Sequence, residues 1–201
     1  MGSDGNRSMK KLSRDDLWGL EQYARERDAF RRTVLAHKQH RRIALGPHAT
    51  LLCEDFLTMK YQVQEMLRTE RIFEPAEIQG ELDTYNPLIP DGDNWKATLL
   101  IEYAEEGERK RMLTALRGAE HQVWMEVPGA ARVYAIANED MERSNADKTA
   151  AVHFMRFQLP APVISAIKQG ATIQMGIDHP VLDYTTTLND ASRNALAADL
   201  D

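Results

Sequence analysis

One cysteine stands alone among 201 residues, so the chain can form no internal disulfide. That lone Cys53, with nine methionines, suits a reducing interior. No apolar run approaches the roughly 20 residues of a membrane helix, and no signal-peptide core follows the start. The expected location is therefore cytoplasmic, with no membrane partner. Positive charge is also short: a net charge of −6 and a pI near 5.6 argue against a broad nucleic-acid surface. Paired cysteines, His-x-x-x-His and Glu-x-x-His are all missing, so no metal motif is present and no cofactor is expected.

What is there suits an ordinary globular protein, with 43% hydrophobic and 28% charged residues. The length fits one domain with a sizeable core. Residues 1–8, MGSDGNRS, read as an appended leader with Met9 as the natural start. Residues 9–180 then form a single α+β domain, and 181–201 a C-terminal tail that drapes over a neighbour or frays. One local basic stretch, Phe30 to Arg42 (FRRTVLAHKQHRR), offers a phosphate-binding reading against that of a solvated helix face.

Ser13 followed by Asp15 and Asp16 predicts a helix start with Leu17, Leu20 and Ala24 facing inward, and Phe30, Val34 and Leu35 predict a second helix to His40. Ile43 and Leu45 before Gly46-Pro47, with Leu51 and Cys53 after it, alternate as a β-hairpin. A helix from about Leu57 to Arg71 should bury Met59, Val63, Met66 and Leu67, a short one should follow Pro75, and 86–94 should turn. Two β-α-β-like units follow. The first runs Trp95–Tyr103, Glu106–Leu116 and His121–Val127; the second runs Ala151–Leu159, Pro162–Lys168 and Ala171–Ile177. A strand from Arg132 to Asn138 lies between them. The expectation is N-terminal helices and a β-hairpin, then a mostly antiparallel sheet with helices on one face, nearest to a ferredoxin-like layout.

Four histidines accompany the strand and turn pattern. His121 and His153 alternate with apolar neighbours and read as buried neutral imidazoles. His48 in the hairpin turn and His179 in Asp178-His179-Pro180 are better placed for chemistry, because turns and strand ends carry sites. Asp178 could orient an imidazole for general-base work, although adjacent strand residues face opposite ways. Cys53 has apolar and acidic neighbours, which raise a thiol pKa, and reads as a small core residue. Asp91-Gly92-Asp93-Asn94 lacks the register of a calcium loop and reads as a turn. The helix from Leu57 is unusually polar. Tyr61, Glu65 and Arg68 share a face away from its apolar stripe and could form a pocket, a dimer seam or a solvated surface.

Six strings occur together here: ALGPH (Ala44–His48), YQVQEMLRTERI (Tyr61–Ile72), NPLIPDG (Asn86–Gly92), KATLLIEY (Lys96–Tyr103), VHF (Val152–Phe154) and DHP (Asp178–Pro180). In combination they resemble a bacterial family known as domain of unknown function 3501, from about Met9 to Tyr184, with the end beyond Tyr184 looking peculiar to this chain. The family carries no established activity, so the resemblance assigns no catalytic residue. Its genes neighbour rubrerythrin-like di-iron proteins and iron–sulfur oxidoreductases. The resemblance therefore implies an accessory role near redox or peroxide metabolism, with such a protein as partner.

Two functional readings follow. The first is a non-enzymatic cytoplasmic interaction protein, a homodimer or other homo-oligomer, acting beside a redox metalloprotein. The second is an enzyme or metal-binding protein using His48 or His179 with Glu65. The candidate polar site shared between them is His48, Tyr61, Glu65, Arg68, Asp178 and His179.

Overall fold

The first expected helix ends after one turn, where Leu17 is already extended, and Gly19 opens the next one. The computed structural model, which describes residues 10–145 and 147–201, has only a single 3-10 turn at Arg14–Asp16, its Ser13 amide bonded to the Asp16 carboxylate at 2.9 Å. The proposed leader and start at Met9 lie outside the described residues. Helix α1 then runs unbroken over Leu20–Lys38, because that stretch contains neither glycine nor proline, and the two expected helices become a turn and one long helix. Strands β1 (Arg42–Ala44) and β2 (Ala49–Glu54) form the predicted hairpin, with Ile43 opposite Leu51. Its turn needs Gly46, whose φ is +96° and whose added Cβ would stand 3.3 Å from Leu182 Cδ1.

Helix α2 (Phe56–Glu70) starts at Asp55, whose carboxylate accepts from the Thr58 amide while Thr58 Oγ1 accepts from the Asp55 amide, both at 2.9 Å. Met59, Val63 and Leu67 are buried as expected, whereas Met66 is only half-buried. Together with Leu82 of α3 (Pro75–Tyr85), Leu12 and Ile89 they form a small helical core.

The remaining elements are β3 (Asn94–Ile101), α4 (Glu106–Ala115), β4 (Val123–Glu126), β5 (Val133–Tyr134), β6 (Ile136–Ala137), β7 (Val152–Gln158), α5 (Ala161–Lys168), β8 (Gln174–His179), β9 (Leu182–Thr187) and α6 (Asp190–Ala197). The fold is α+β with antiparallel pairing, but there are two sheets where one was expected. The first has the order β1-β2-β3-β7-β6, the second β5-β4-β8-β9. Each β-α-β unit leaves one sheet and enters the other: β3 to β4 through α4, and β7 to β8 through α5. That replaces the ferredoxin-like layout. The strand expected over 132–138 is likewise divided, β5 joining the second sheet and β6 the first, with Ala135 between them.

Alternation in the first sheet sends Leu51, Cys53, Ala97, Leu99, Met155 and Phe157 into a core shared with Val123, Met125, Met175 and Ile177 of the second. The other face of the first sheet carries Glu54, Lys96, Thr98, Phe154 and Arg156, with Lys96 opposite both Glu54 and Arg156. In the second sheet the Trp124 indole occupies the space above its cross-strand partner Gly176. A Cβ there would stand 2.3 Å from the indole and 2.6 Å from the Tyr184 carbonyl, so only glycine fits.

The last residues are not a loose tail. Leu188, Leu196 and Leu200 join the main core, and Arg41 makes a two-point ion pair with Asp199 at 2.7 and 2.8 Å. The weak hydropathy of this segment is that of an amphipathic helix covering one side of a core.

Candidate functional site

The six residues expected to form a polar site do not come together. Glu65 is held from α1: Arg27 donates to both carboxylate oxygens at 2.7 and 2.8 Å, and the Tyr23 hydroxyl donates at 2.5 Å. The Arg27 bonds hold the Glu65 carboxyl below its ordinary pKa, helped by Tyr23 and opposed by burial. Arg68, its expected helical neighbour, is exposed. Tyr61 packs 5.9 Å from Phe30 and lies under the Lys38 ammonium at 5.6 Å. The polar density of α2 is therefore real, but it fastens α2 to the chain before it. Gln64 does the same, gripping the Trp18 amide and carbonyl at 2.7 and 3.2 Å.

His48 stacks on Tyr103 with centroids 4.1 Å apart and donates from Nδ1 to the Glu102 carbonyl at 3.0 Å, beside a shallow depression that neither Glu65 nor His179 lines. His179 is buried, spanning the Arg117 carbonyl and the Val181 amide at 3.2 Å each. Asp178 faces the other way and accepts from Trp124 Nε1, Arg132 and the Tyr134 hydroxyl at 2.8, 2.6 and 3.0 Å. Burial opposes its ionisation, but the Trp124, Tyr134 and Arg132 contacts outweigh it and hold its pKa low. No bend brings Asp178 and His179 together. Among the described residues, no group of three or more His, Cys, Asp and Glu is placed to hold a metal ion.

Other expectations divide. Cys53 is a buried core residue whose thiol burial pushes up to about 12. His153 is buried, but His121 is exposed, because it closes a 3-10 turn at Ala119–His121 before β4 begins. The basic stretch is no single phosphate surface: Arg31 and Arg32 are exposed, Arg41 is buried against Asp199, and Arg42 pairs with Glu102 at 3.4 Å.

The best-formed cavity lies on the outer face of the first sheet, between α3 and the segment after β6, with a volume of about 590 Å³. Lys96, Phe154 and Arg156 form its floor by strand alternation, Tyr85 and Leu88 one wall, and Glu139, Asp140, Met141 and Arg143 the other. Arg143 stacks over Phe154 at 4.6 Å and binds Asp140 through two bonds of 2.6 Å. Arg156 is likewise held by Glu139 at 2.7 and 2.8 Å. Lys96 is different. Its ammonium is ion-paired to Asp91 at 3.4 Å, which is too long for a good hydrogen bond. The two guanidiniums are thus held by two-point hydrogen bonds, whereas the Lys96 ammonium, paired with Asp91 and within reach of the Glu139 charge, makes no hydrogen bond among the described residues. The cleft is not legible in the sequence because strand register brings Lys96 and Phe154 together, while Tyr85 from α3 and Met141 from the segment after β6 reach them only through tertiary packing. The available signal was charge at Lys96 and Arg156 inside otherwise apolar strand patterns.

Behind the far wall lies a buried polar chain. Glu120 accepts from the Ser144 hydroxyl and from Thr149 Oγ1, the latter at 2.8 Å. Thr149 Oγ1 is also 2.8 Å from His153 Nε2, which lies 3.0 Å from the Ala150 carbonyl, while Asn138 Nδ2 is 2.9 Å from His153 Nδ1.

A family profile described as "Protein of unknown function (DUF3501)" matches residues 11–200. The chain belongs to this family. Because the match continues well beyond Tyr184, the C-terminal strand and helix are shared by the family and are not peculiar to this member. A crystal structure of a novel protein of unknown function from Burkholderia pseudomallei is similar at 46% identity. It superposes with a TM-score of 0.91, covering 96% of this chain and 100% of that one. No curated protein matches the chain. No helix among the described residues is long and apolar enough to cross a membrane.

Proposed function

We propose that this DUF3501 member is a cytoplasmic accessory protein that binds a small amphipathic organic anion in the cleft. The observation carrying this reading is the Lys96 ammonium, held only by a long ion pair to Asp91 and by no hydrogen bond among the described residues, on a floor shared with Phe154. Apolar surface from Phe154, Met141, Leu88 and Tyr85 would take the body of such a ligand, and Lys96 its carboxylate, sulfonate or phosphate. Arg143 and Arg156 are occupied by carboxylates, so they shape one wall and the floor and leave recognition of the head to Lys96.

Anilinonaphthalene sulfonate, which has this chemistry, serves as the probe. Replacing Lys96 by Met keeps the length of the side chain and removes its charge. The expected result is at least about tenfold weaker probe binding, the effect of losing one charged hydrogen bond. Equal affinity in the Lys96→Met and native proteins would sink the reading. The accessory setting beside a rubrerythrin-like or iron–sulfur protein rests on the family resemblance. Co-elution of the two proteins from a sizing column at micromolar concentration tests it, and independent elution removes that partner.

A further inference from the structure

We propose that His153 is a proton-operated latch on the cleft: neutral, it pins the wall formed by the segment after Asn138, and protonated, it releases that wall. This rests on the cleft being the binding site. The wall residues Glu139, Asp140, Met141 and Arg143 lie between two anchors to the buried polar chain. One anchor is Asn138, the other the pair Ser144 and Thr149 on Glu120.

The tautomer follows from the partners. His153 Nε2 lies 3.0 Å from the Ala150 carbonyl, which can only accept, so Nε2 carries the proton. Nδ1 of the neutral ring is then an acceptor, and Asn138 Nδ2 donates to it at 2.9 Å. Asn138 has a left-handed backbone, with φ +55°, and its Oδ1 is buried with no hydrogen-bond partner among the described residues.

A second proton must go to Nδ1, where it meets the N–H of Asn138 head-on. Arg143, a wall residue stacked over Phe154 beside His153 in sequence, would then face a cation across the wall. His121 adds to that repulsion and Glu120 opposes it. Because Glu120 lies at the Nε2 end, it strengthens the Thr149 side of the chain while the Asn138 side loses its bond. Burial lowers the His153 pKa, with Glu120 and the Ala150 carbonyl working against it, so the ring is neutral at pH 7 and titrates in the acid range.

Hydrogen–deuterium exchange over residues 139–145, corrected for intrinsic exchange rates, reads the latch, and anilinonaphthalene sulfonate reads the cleft. From about pH 7.5 down to one unit below the His153 titration, which burial places under the ordinary 6.5, native protection and probe affinity should each fall about tenfold. His153→Gln, whose amide supplies one donor and one acceptor without titrating, should show neither change. Asn138→Asp should keep the wall protected to lower pH, because a carboxylate accepts from protonated Nδ1. Unchanged native protection at acid pH, as a simple half-turn of the Asn138 amide would give, overturns the latch. So does a His153→Gln protein that follows the native one. Absence of probe binding in every variant at both pH values refutes the cleft, and with it the coupling, while the exchange data judge the latch separately.

Discussion

Arg41 and Asp199 are both almost completely buried, and each is the other's principal partner. Arg41 Nε also stands 3.0 Å from Asp55, close enough for an ion pair although its angle falls short of a hydrogen bond. Removing one member of such a pair leaves a desolvated charge. Asp199→Asn is expected to cost about 3–5 kcal/mol, and an Arg41→Met/Asp199→Leu double variant to recover most of it. Urea unfolding of the three proteins measures both. Glu54 poses the opposite problem: its Oε1 accepts from Thr98 at 2.8 Å, but its buried Oε2 has no hydrogen-bond partner among the described residues. Burial holds its pKa above the ordinary 4.5, despite the Thr58 and Thr98 hydroxyls and Lys38. The folded chain therefore takes up a proton that the unfolded chain has released. Native stability should decline as pH rises from the ordinary value through the raised one. Glu54→Gln should remove that decline, giving a protein more stable than the native one near about pH 8, with the gain shrinking toward about pH 4. Urea midpoints across pH check the sign; a gain that grows toward acid would reverse it.

Elements were legible wherever one stretch of sequence carried its own punctuation. The Met59/Val63/Leu67 spacing gave α2, although its Asp55 cap went unread, Pro162 and Gly170 bracketed α5, and Gly46-Pro47 gave the hairpin. Legibility failed where a second element decides the outcome. Nothing in the alternation of β4 and β7 says that they face one another across a core instead of pairing edge to edge. Likewise the C-terminal segment looks weakly hydrophobic until β8 gives it a strand to pair with and Arg41 a charge to match. A chain ending after Thr187 would expose the core where Leu188, Leu196 and Leu200 sit and leave Arg41 without Asp199. Each leucine contributes about 1.5–3 kcal/mol, so the loss approaches the whole stability of a typical domain, about 5–15 kcal/mol. Circular dichroism of that truncated chain should show it largely unfolded at room temperature.

At the scale of the molecule, two cores of unequal size stand side by side. The helical one rests on six buried residues from α2, α3 and their flanks, while the sheet core draws on both sheets, α5 and α6. Opening the smaller core exposes less apolar surface, so α3 amides should exchange through a lower-energy opening than those of β3 and β7. Native-state exchange in mild denaturant would show the order, and simultaneous exchange of α3 and β3 would contradict it. The cleft lies where the helical layer meets the sheet, which explains why neither part of the sequence announced it.

The indole of Trp124 over Gly176 ties two positions on neighbouring strands to one shared volume. Over evolutionary time neither can drift alone: a side chain at 176 becomes admissible only after 124 has shrunk, and a smaller residue at 124 leaves a bare strand until 176 fills it. Related chains should therefore hold the two in one of a few matched combinations, and the intermediates between them should be rare.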